Sequence, residues 1–146
     1  YLSRGGFLWI DDFWGDAEWQ NLARNTQRMG DTWQWQAISA DHEIMSCVYP
    51  LEQVPQIPAR IFFEQTGRIF DPPEVHRQPA GGISGVAEVH CMGLFDKGGR
   101  LVAVATHNTD IADGWEREGE SHTYFKRFSI NAYAMTINIL TYAHLH

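Results

Sequence analysis

An unbroken apolar run, Phe7-Leu8-Trp9-Ile10, lies between Gly5-Gly6 and the acid pair Asp11-Asp12. Four apolar residues in a row leave no wet face, so the run predicts a strand covered on both sides, as in the middle of a parallel sheet. A second such run, Leu101–Ala105, passes straight into Thr106-His107-Asn108-Thr109-Asp110. Two strands without a wet face need two covering layers, which constrains the chain to an α/β arrangement. The chain is 146 residues long, the size of one domain. A chain of this size buries about 68–70% of its unfolded surface, so no disulfide or metal staple is needed. We read residues 1–146 as a single α/β domain.

The rest of the chain supplies the covering elements. Tyr1-Leu2-Ser3-Arg4-Gly5-Gly6 reads as the last turn of a helix, with Arg4 suiting the negative helix end and Gly5 or Gly6 a left-handed cap. A helix end that feeds a central strand predicts further βα units before Tyr1, and any signal peptide or lipid anchor would lie with them. Asp12 to Asp16 can cap a helix reaching about Met29 and closed by Gly30. Its apolar face would be Trp19, Leu22, Ala23 and Thr26. Trp33–Ile38 alternates with period two and predicts a strand with one wet face. Residues 40–58 hold Pro50, Pro55 and Pro58 and little periodicity, the pattern of a long loop with one helical turn. Arg60–Glu64 reads as a short strand, Asp71-Pro72-Pro73 as a stop and Pro79-Ala80-Gly81-Gly82 as a flexible stretch. Gly85–Phe95 and Leu101–Thr106 flank Asp96-Lys97-Gly98-Gly99, which predicts a β-hairpin near residues 85–106. A last helix runs from Ser129 to about Ala143 and is apolar nearly all round, so most of its sides should be covered.

Composition removes several classes of function. Hydrophobic residues at 44% and charged residues at 20% exclude a disordered or collagen-like chain. The net charge of −7 disfavours nucleic acid or an anionic membrane as an electrostatic partner. No stretch reaches 18 uninterrupted apolar residues, so no membrane-spanning helix is expected in this chain. Cys47 and Cys91 are too few for a disulfide scaffold and permit either redox compartment. None of the seven histidines sits in an HExxH frame, no CxxC occurs, and His144 with His146 is a terminal pair, which argues against a structural zinc site. His90 and Cys91 alternate along a strand and point to opposite faces, so they form no dyad. There is no GxSxG elbow, and Gly5-Gly6 precedes a strand where a phosphate cradle would follow one.

The candidate site lies where the two apolar runs end. In open α/β sheets, ligands bind at the carboxyl edge of the strands. Asp11 and Asp12 stand at the first strand's end, where adjacent carboxylates can bind a divalent cation or share a proton. The alternative is that Asp12 caps the following helix while Asp11 bonds loop amides. His107, Asn108 and Asp110 stand at the second strand's end, with Trp115 close behind. Their alternative is a turn in which Asn108 and Asp110 satisfy backbone amides. His42, between Asp41 and Glu43, completes the set of candidate ligand-binding residues.

The segment Arg4-Gly5-Gly6-Phe7-Leu8-Trp9-Ile10-Asp11-Asp12-Phe13-Trp14-Gly15 resembles the signature of the bacterial family called domain of unknown function 4159. The likeness continues through Asp41-His42-Glu43-Ile44, Gly99-Arg100-Leu101, Asn108-Thr109-Asp110, Gly114-Trp115 and the closing helix with Asn138 and Tyr142-Ala143, and so covers essentially the whole chain. The resemblance implies a class I glutamine amidotransferase-like fold, which is flavodoxin-like: a three-layer α/β/α domain with a mostly parallel sheet. This chain would be its C-terminal portion. The resemblance also implies a periplasmic or membrane-associated place in the cell envelope. Glu43 stands where the family more often has Pro. No catalytic residue carries over, because nothing here matches the cysteine elbow of the related amidotransferases.

Three readings of function follow. The first is a noncatalytic envelope module or accessory subunit that recognises other protein subunits, or its own N-terminal half, and needs no cofactor. The acidic, aromatic-rich composition and the proline-bearing loops favour it. The second is a binder of a small, sugar-like ligand or a metal-assisted hydrolase using the acidic rim, with a divalent cation on Asp11 and Asp12. The third is a structural piece of a larger assembly, within which association with a membrane is open.

Overall fold

The computed structural model describes residues 1–29, 33–69 and 88–146. Its sheet is built from β1 (Leu8–Phe13), β2 (Gln34–Ala37), β3 (His90–Phe95) and β4 (Leu101–His107), in the order β1-β4-β3-β2. The helices are α1 (Gly15–Gln27), α2 (Arg60–Thr66), α3 (Asp113–Glu116), α4 (His122–Tyr124) and α5 (Ile130–Leu145). A π turn over Phe125–Ser129 joins α4 to α5. Gly30, Asp71-Pro72-Pro73, Pro79–Gly82 and the start of the hairpin at Gly85 lie outside the described residues.

The two apolar runs form strands, and they pair with each other in parallel, Leu8 opposite Ala103 and Ile10 opposite Ala105. Adjacent side chains along β1 serve opposite layers, as a strand requires. Trp9 packs into the larger core, with Val104, Ile111, Met135 and Ile139. Ile10 packs into a smaller one, with Leu94, Val102, Ala103 and Trp35. The α1 helix covers this second face. Its Trp19 meets Trp35 edge-on at 5.4 Å between ring centroids, and the Trp35 indole donates to Thr26 Oγ1 at 2.8 Å. Helices therefore cover both faces of the sheet.

Several expectations need correction. The sheet is not mostly parallel: β1–β4 is parallel, whereas β4–β3 and β3–β2 are antiparallel. The reason is local, since the tight turn Asp96–Gly99 returns the chain directly, and β2 adds to the hairpin's far side. Asp96 Oδ1 holds that turn by accepting from Gly98 N–H and Arg100 N–H at 2.9 and 3.0 Å, with Gly99 at φ 80°. β4 is central and buried at every residue. β1 was expected to be central too, but among the described residues it is an edge strand, and Leu8 is 41% exposed. Arg60–Glu64 is not a strand but the body of α2. Its apolar triplet Ile61-Phe62-Phe63 reads equally as one helical turn, Arg60 pairs with Glu64 at i,i+4, and Gly67 caps the end at φ 68°. The α1 helix stops at Gln27, and its N-cap position is Trp14, so neither Asp12 nor Asp16 caps it.

The glycine closure after Arg4 and the single turn in the long loop follow the reading of the sequence, whereas α3, α4 and the π turn have no counterpart in it. Leu2–Arg4 forms a short 3-10 turn closed by Gly5 at φ 92°. The loop before α2 carries a single turn, Glu43–Met45, which buries Ile44 and Met45. Gly114 lets α3 touch α5, since a Cβ there would stand 2.3 Å from the Ala132 Cβ. No helix among the described residues is long and apolar enough to cross a membrane.

Candidate functional site

Parallel pairing of β1 with β4 delivers both polar strand ends to one rim. The register shifts there: Ile10 faces Ala105, whereas Phe13 faces His107, so β1 carries one extra residue. The chain absorbs it with Asp12 at φ 56°, and Asn108 follows β4 at φ 62°. Asp and Asn tolerate this left-handed geometry because their short polar side chains bond locally. Asp12 accepts a bond from the Trp14 indole at 3.0 Å.

The side chains of the rim reach backbone amides far away in sequence. Asn108 Oδ1 accepts from Gly15 N–H at 2.8 Å, which satisfies the first turn of α1 from another strand, while Asn108 Nδ2 donates to the Glu88 carbonyl at 2.8 Å. Glu18 closes the same helix start by accepting from Trp14 N–H at 2.8 Å. Asp11 uses both oxygens, one for the Thr106 hydroxyl and the other for Ala112 N–H at 2.8 Å. Asp110 accepts from Asp113 N–H at 2.9 Å. Thr109 donates to the Pro55 carbonyl and accepts from Ile57 N–H. The Tyr124 hydroxyl donates to the Pro58 carbonyl, and Gln56 Nε2 donates to the Asn108 carbonyl. The rim thus fastens the start of α1, the Pro55–Pro58 segment and the entry to α3.

Electrostatically the rim is strained. Burial pushes the Asp110 carboxyl up to about 8, against the Asp113 amide bond, and the charges of Asp12, Asp113 and Asp11 push the same way. Burial raises Asp11 to about 6, resisted by its bonds from Thr106 and Ala112. The Tyr124 hydroxyl is raised by burial and then by Asp113, Asp110 and Asp11. Burial, with neighbouring charge at Asp110, thus holds both carboxyls above the usual carboxylate range, as happens at functional sites and in buried braces alike. Among the described residues, no three His, Cys, Asp or Glu side chains come together as metal ligands would.

Of the other candidates, His107 reaches the α1 side of the sheet. Its ring stacks on Phe13 at 4.9 Å, its Nε2 lies 3.1 Å from the Gly15 carbonyl, and burial lowers its pKa. His42 belongs elsewhere. Its Nδ1 accepts from Ile44 N–H, its ring lies 5.5 Å from that of Tyr142, and burial lowers its pKa. Trp115 is half-buried against the larger core, with no hydrogen bond to its buried Nε1. The reading of the sequence missed Thr106, Asp113 and Tyr124. Thr106 stood inside the polar run already noted and Asp113 just beyond it, but Tyr124 gave no signal. Asn138 was noted only as part of the resemblance, and its role as a clamp was missed. It accepts from Val48 and Tyr49 N–H and donates to the Tyr49 carbonyl at 2.7 Å.

Residues 1–144 match a family model described as Domain of unknown function (DUF4159). No curated protein and no solved structure matches the chain.

Proposed function

The chain belongs to the DUF4159 family, and from that premise we propose that it is a noncatalytic protein-interaction module, an accessory subunit of a cell-envelope assembly. The observation that carries this reading is the outward side of α5. Ala132, Met135, Ile139 and Tyr142 fill the core, yet the opposite side is apolar as well, with Ile130 66% and Leu140 52% exposed and Tyr133 between them. These positions recur at i, i+3 and i+10, a seam of the kind one helix offers another protein surface. Contiguous exposed apolar surface of this kind marks interaction sites on soluble domains. The rim supports the same reading, because its polar side chains serve backbone amides that brace loops.

The test is Ile130→Glu combined with Leu140→Glu, at exposed positions where the fold should tolerate charge. The natural chain should self-associate or bind an apolar dye, and the double variant should sediment as a monomer with little dye bound. A natural chain that is already monomeric and binds no dye would remove the basis for this reading. Fractionation of cells making the full polypeptide checks the periplasmic or membrane-associated location.

A second reading draws on the raised carboxyls of Asp11 and Asp110: binding of a small, sugar-like ligand, or metal-assisted hydrolysis, at the acidic rim. Calorimetry with magnesium or calcium would then show heat that Asp11→Asn abolishes. Heat unchanged by that substitution, or none at all, leaves both acids as braces.

A further inference from the structure

We propose that Asp110 is the proton-operated latch of a strap: while its carboxyl keeps a proton, residues 55–58 and the entry to α3 stay closed on the rim, and loss of that proton lets them lift away. Residues 55–58 belong to no helix or strand, and Pro55 and Pro58 have no N–H to give. Their bonds run to the rim. Ile57 N–H donates to Thr109 Oγ1 at 2.9 Å, the Thr109 hydroxyl donates to the Pro55 carbonyl at 2.8 Å, and Asp110 N–H donates to the Ile57 carbonyl at 2.8 Å. At the far end the Tyr124 hydroxyl donates to the Pro58 carbonyl at 2.7 Å, and Arg60 N–H donates to Asp113 at 2.8 Å. Asp110 sits at the junction, because its side chain in turn accepts from Asp113 N–H. Ile57, with no exposed surface, is the apolar anchor of the closed state. A segment held by a few bonds to its neighbours, with no ladder of its own, belongs to the parts of a fold that open first.

The groups around Asp110 make its proton decisive. Asp110 is 5% exposed, and among the described residues no Lys, Arg or His pairs with it. β1 presents Asp11, bonded to Thr106 and Ala112, and Asp12, bonded to the Trp14 indole. α3 presents Asp113, and α4 the phenol of Tyr124, which burial keeps neutral. Arg60 of α2 turns its guanidinium to Glu64 and Glu120, and Arg117 pairs with Asp113 and Glu120. An ionised Asp110 is thus a second buried carboxylate beside Asp11 with no cation of its own, and hydrating it requires the strap to lift. Burial, ahead of any neighbouring charge, pushes the closed carboxyl up to about 8. With the strap lifted, the carboxyl returns to the range of a free aspartate near 3.8. Each opening between those values releases a proton, so opening becomes easier as pH rises toward 8 and levels off above it.

The test is native-state amide hydrogen exchange of the 146-residue chain, read residue by residue by NMR and corrected for the intrinsic pH dependence of exchange. Protection of the Ile57, Arg60 and Asp113 amides should fall about tenfold per pH unit between about pH 5 and pH 7 and level off above about pH 8. It should depend weakly on urea, because lifting a strap exposes little surface, whereas the amides of β4 should depend on urea strongly, as reporters of whole-fold opening. In Asp110→Asn, which keeps an oxygen for Asp113 N–H, the pH dependence of the three amides should vanish. Asp11→Asn, which leaves Asp110 in place and removes a like charge beside it, should keep the slope and bring the levelling-off to lower pH. Circular dichroism of both variants should match the natural chain. The proposal is overturned if protection of the three amides is flat between those pH values, or if Asp110→Asn keeps the slope. Urea dependence as steep as that of β4 would assign the proton to the whole fold and overturn the strap. Should Asp110→Asn fail to fold, an Asp11→Asn chain that levels off at the natural pH would overturn the latch by itself.

Discussion

Asn138 lies in the middle of an apolar helix with no exposed surface, and its side-chain amide is fully engaged by the loop at Val48 and Tyr49. Asn138→Asp keeps the acceptor for the two amides but sets a carboxylate oxygen against the Tyr49 carbonyl. We expect a loss of about 1–3 kcal/mol at pH 7 in urea unfolding, partly recovered near pH 4, where the protonated acid can donate again. Asp110 should behave in the opposite sense from an ordinary paired carboxylate. Its pKa is about 8 when folded against 3.8 for a free aspartate, so between those values the native state holds a proton that the unfolded chain releases. Its contribution to stability is complete below about pH 4 and is lost as pH rises toward 8. Asp110→Asn keeps an oxygen for Asp113 N–H and removes the charge. It should raise stability by about 1–3 kcal/mol at pH 8 and lose that advantage at pH 4, as urea titrations at the two pH values would show. The acids were legible in the sequence because they follow apolar runs directly. What Asn108 bonds to was not, since its partners Gly15 and Glu88 lie 93 and 20 residues away.

At the level of elements, the same short patterns were read well in one place and wrongly in another. The hairpin was legible because Asp96-Lys97-Gly98-Gly99 carries its turn chemistry with it. Arg60–Glu64 was misread because five residues cannot distinguish periods of 2 and 3.6 when three of them are apolar. The i,i+4 ion pair of Arg60 with Glu64 was the overlooked clue. Gly114-Trp115 stood out as a motif, but its reason lies in packing: α3 and α5 approach too closely for a side chain. Gly114→Ala should therefore cost about 1–3 kcal/mol through overpacking. Adding Ala132→Gly should return part of that loss although the second change alone is unfavourable in a helix. Thermal unfolding of the two single variants and the double variant measures the coupling, and strict additivity would mean that the helices have shifted apart.

For the whole molecule, the layers were legible and the order of strands was not. Apolar runs without a wet face required two covering layers, but pairing partners depend on contacts that no local pattern records. The apolar runs and the family resemblance both pointed to a parallel sheet, whereas the described residues contribute one parallel pair, a hairpin and one further antiparallel strand. The molecule combines an apolar α5 face with a net charge of −7, so association through that face works against mutual repulsion. Raising sodium chloride screens the repulsion, and sulfate strengthens apolar burial. The average mass in sedimentation should rise with either salt, whereas association driven by ion pairs would fall. The parallel pair also bears on biosynthesis. Trp9 meets Thr106, 97 residues further on, so at ordinary translation speeds about 5–20 s separate the emergence of the two strands. During that interval β1 lacks its β4 partner, while the hairpin that will receive it can close locally in microseconds once made. The nascent chain must therefore be shielded from its neighbours on the polysome at β1 until β4 has emerged.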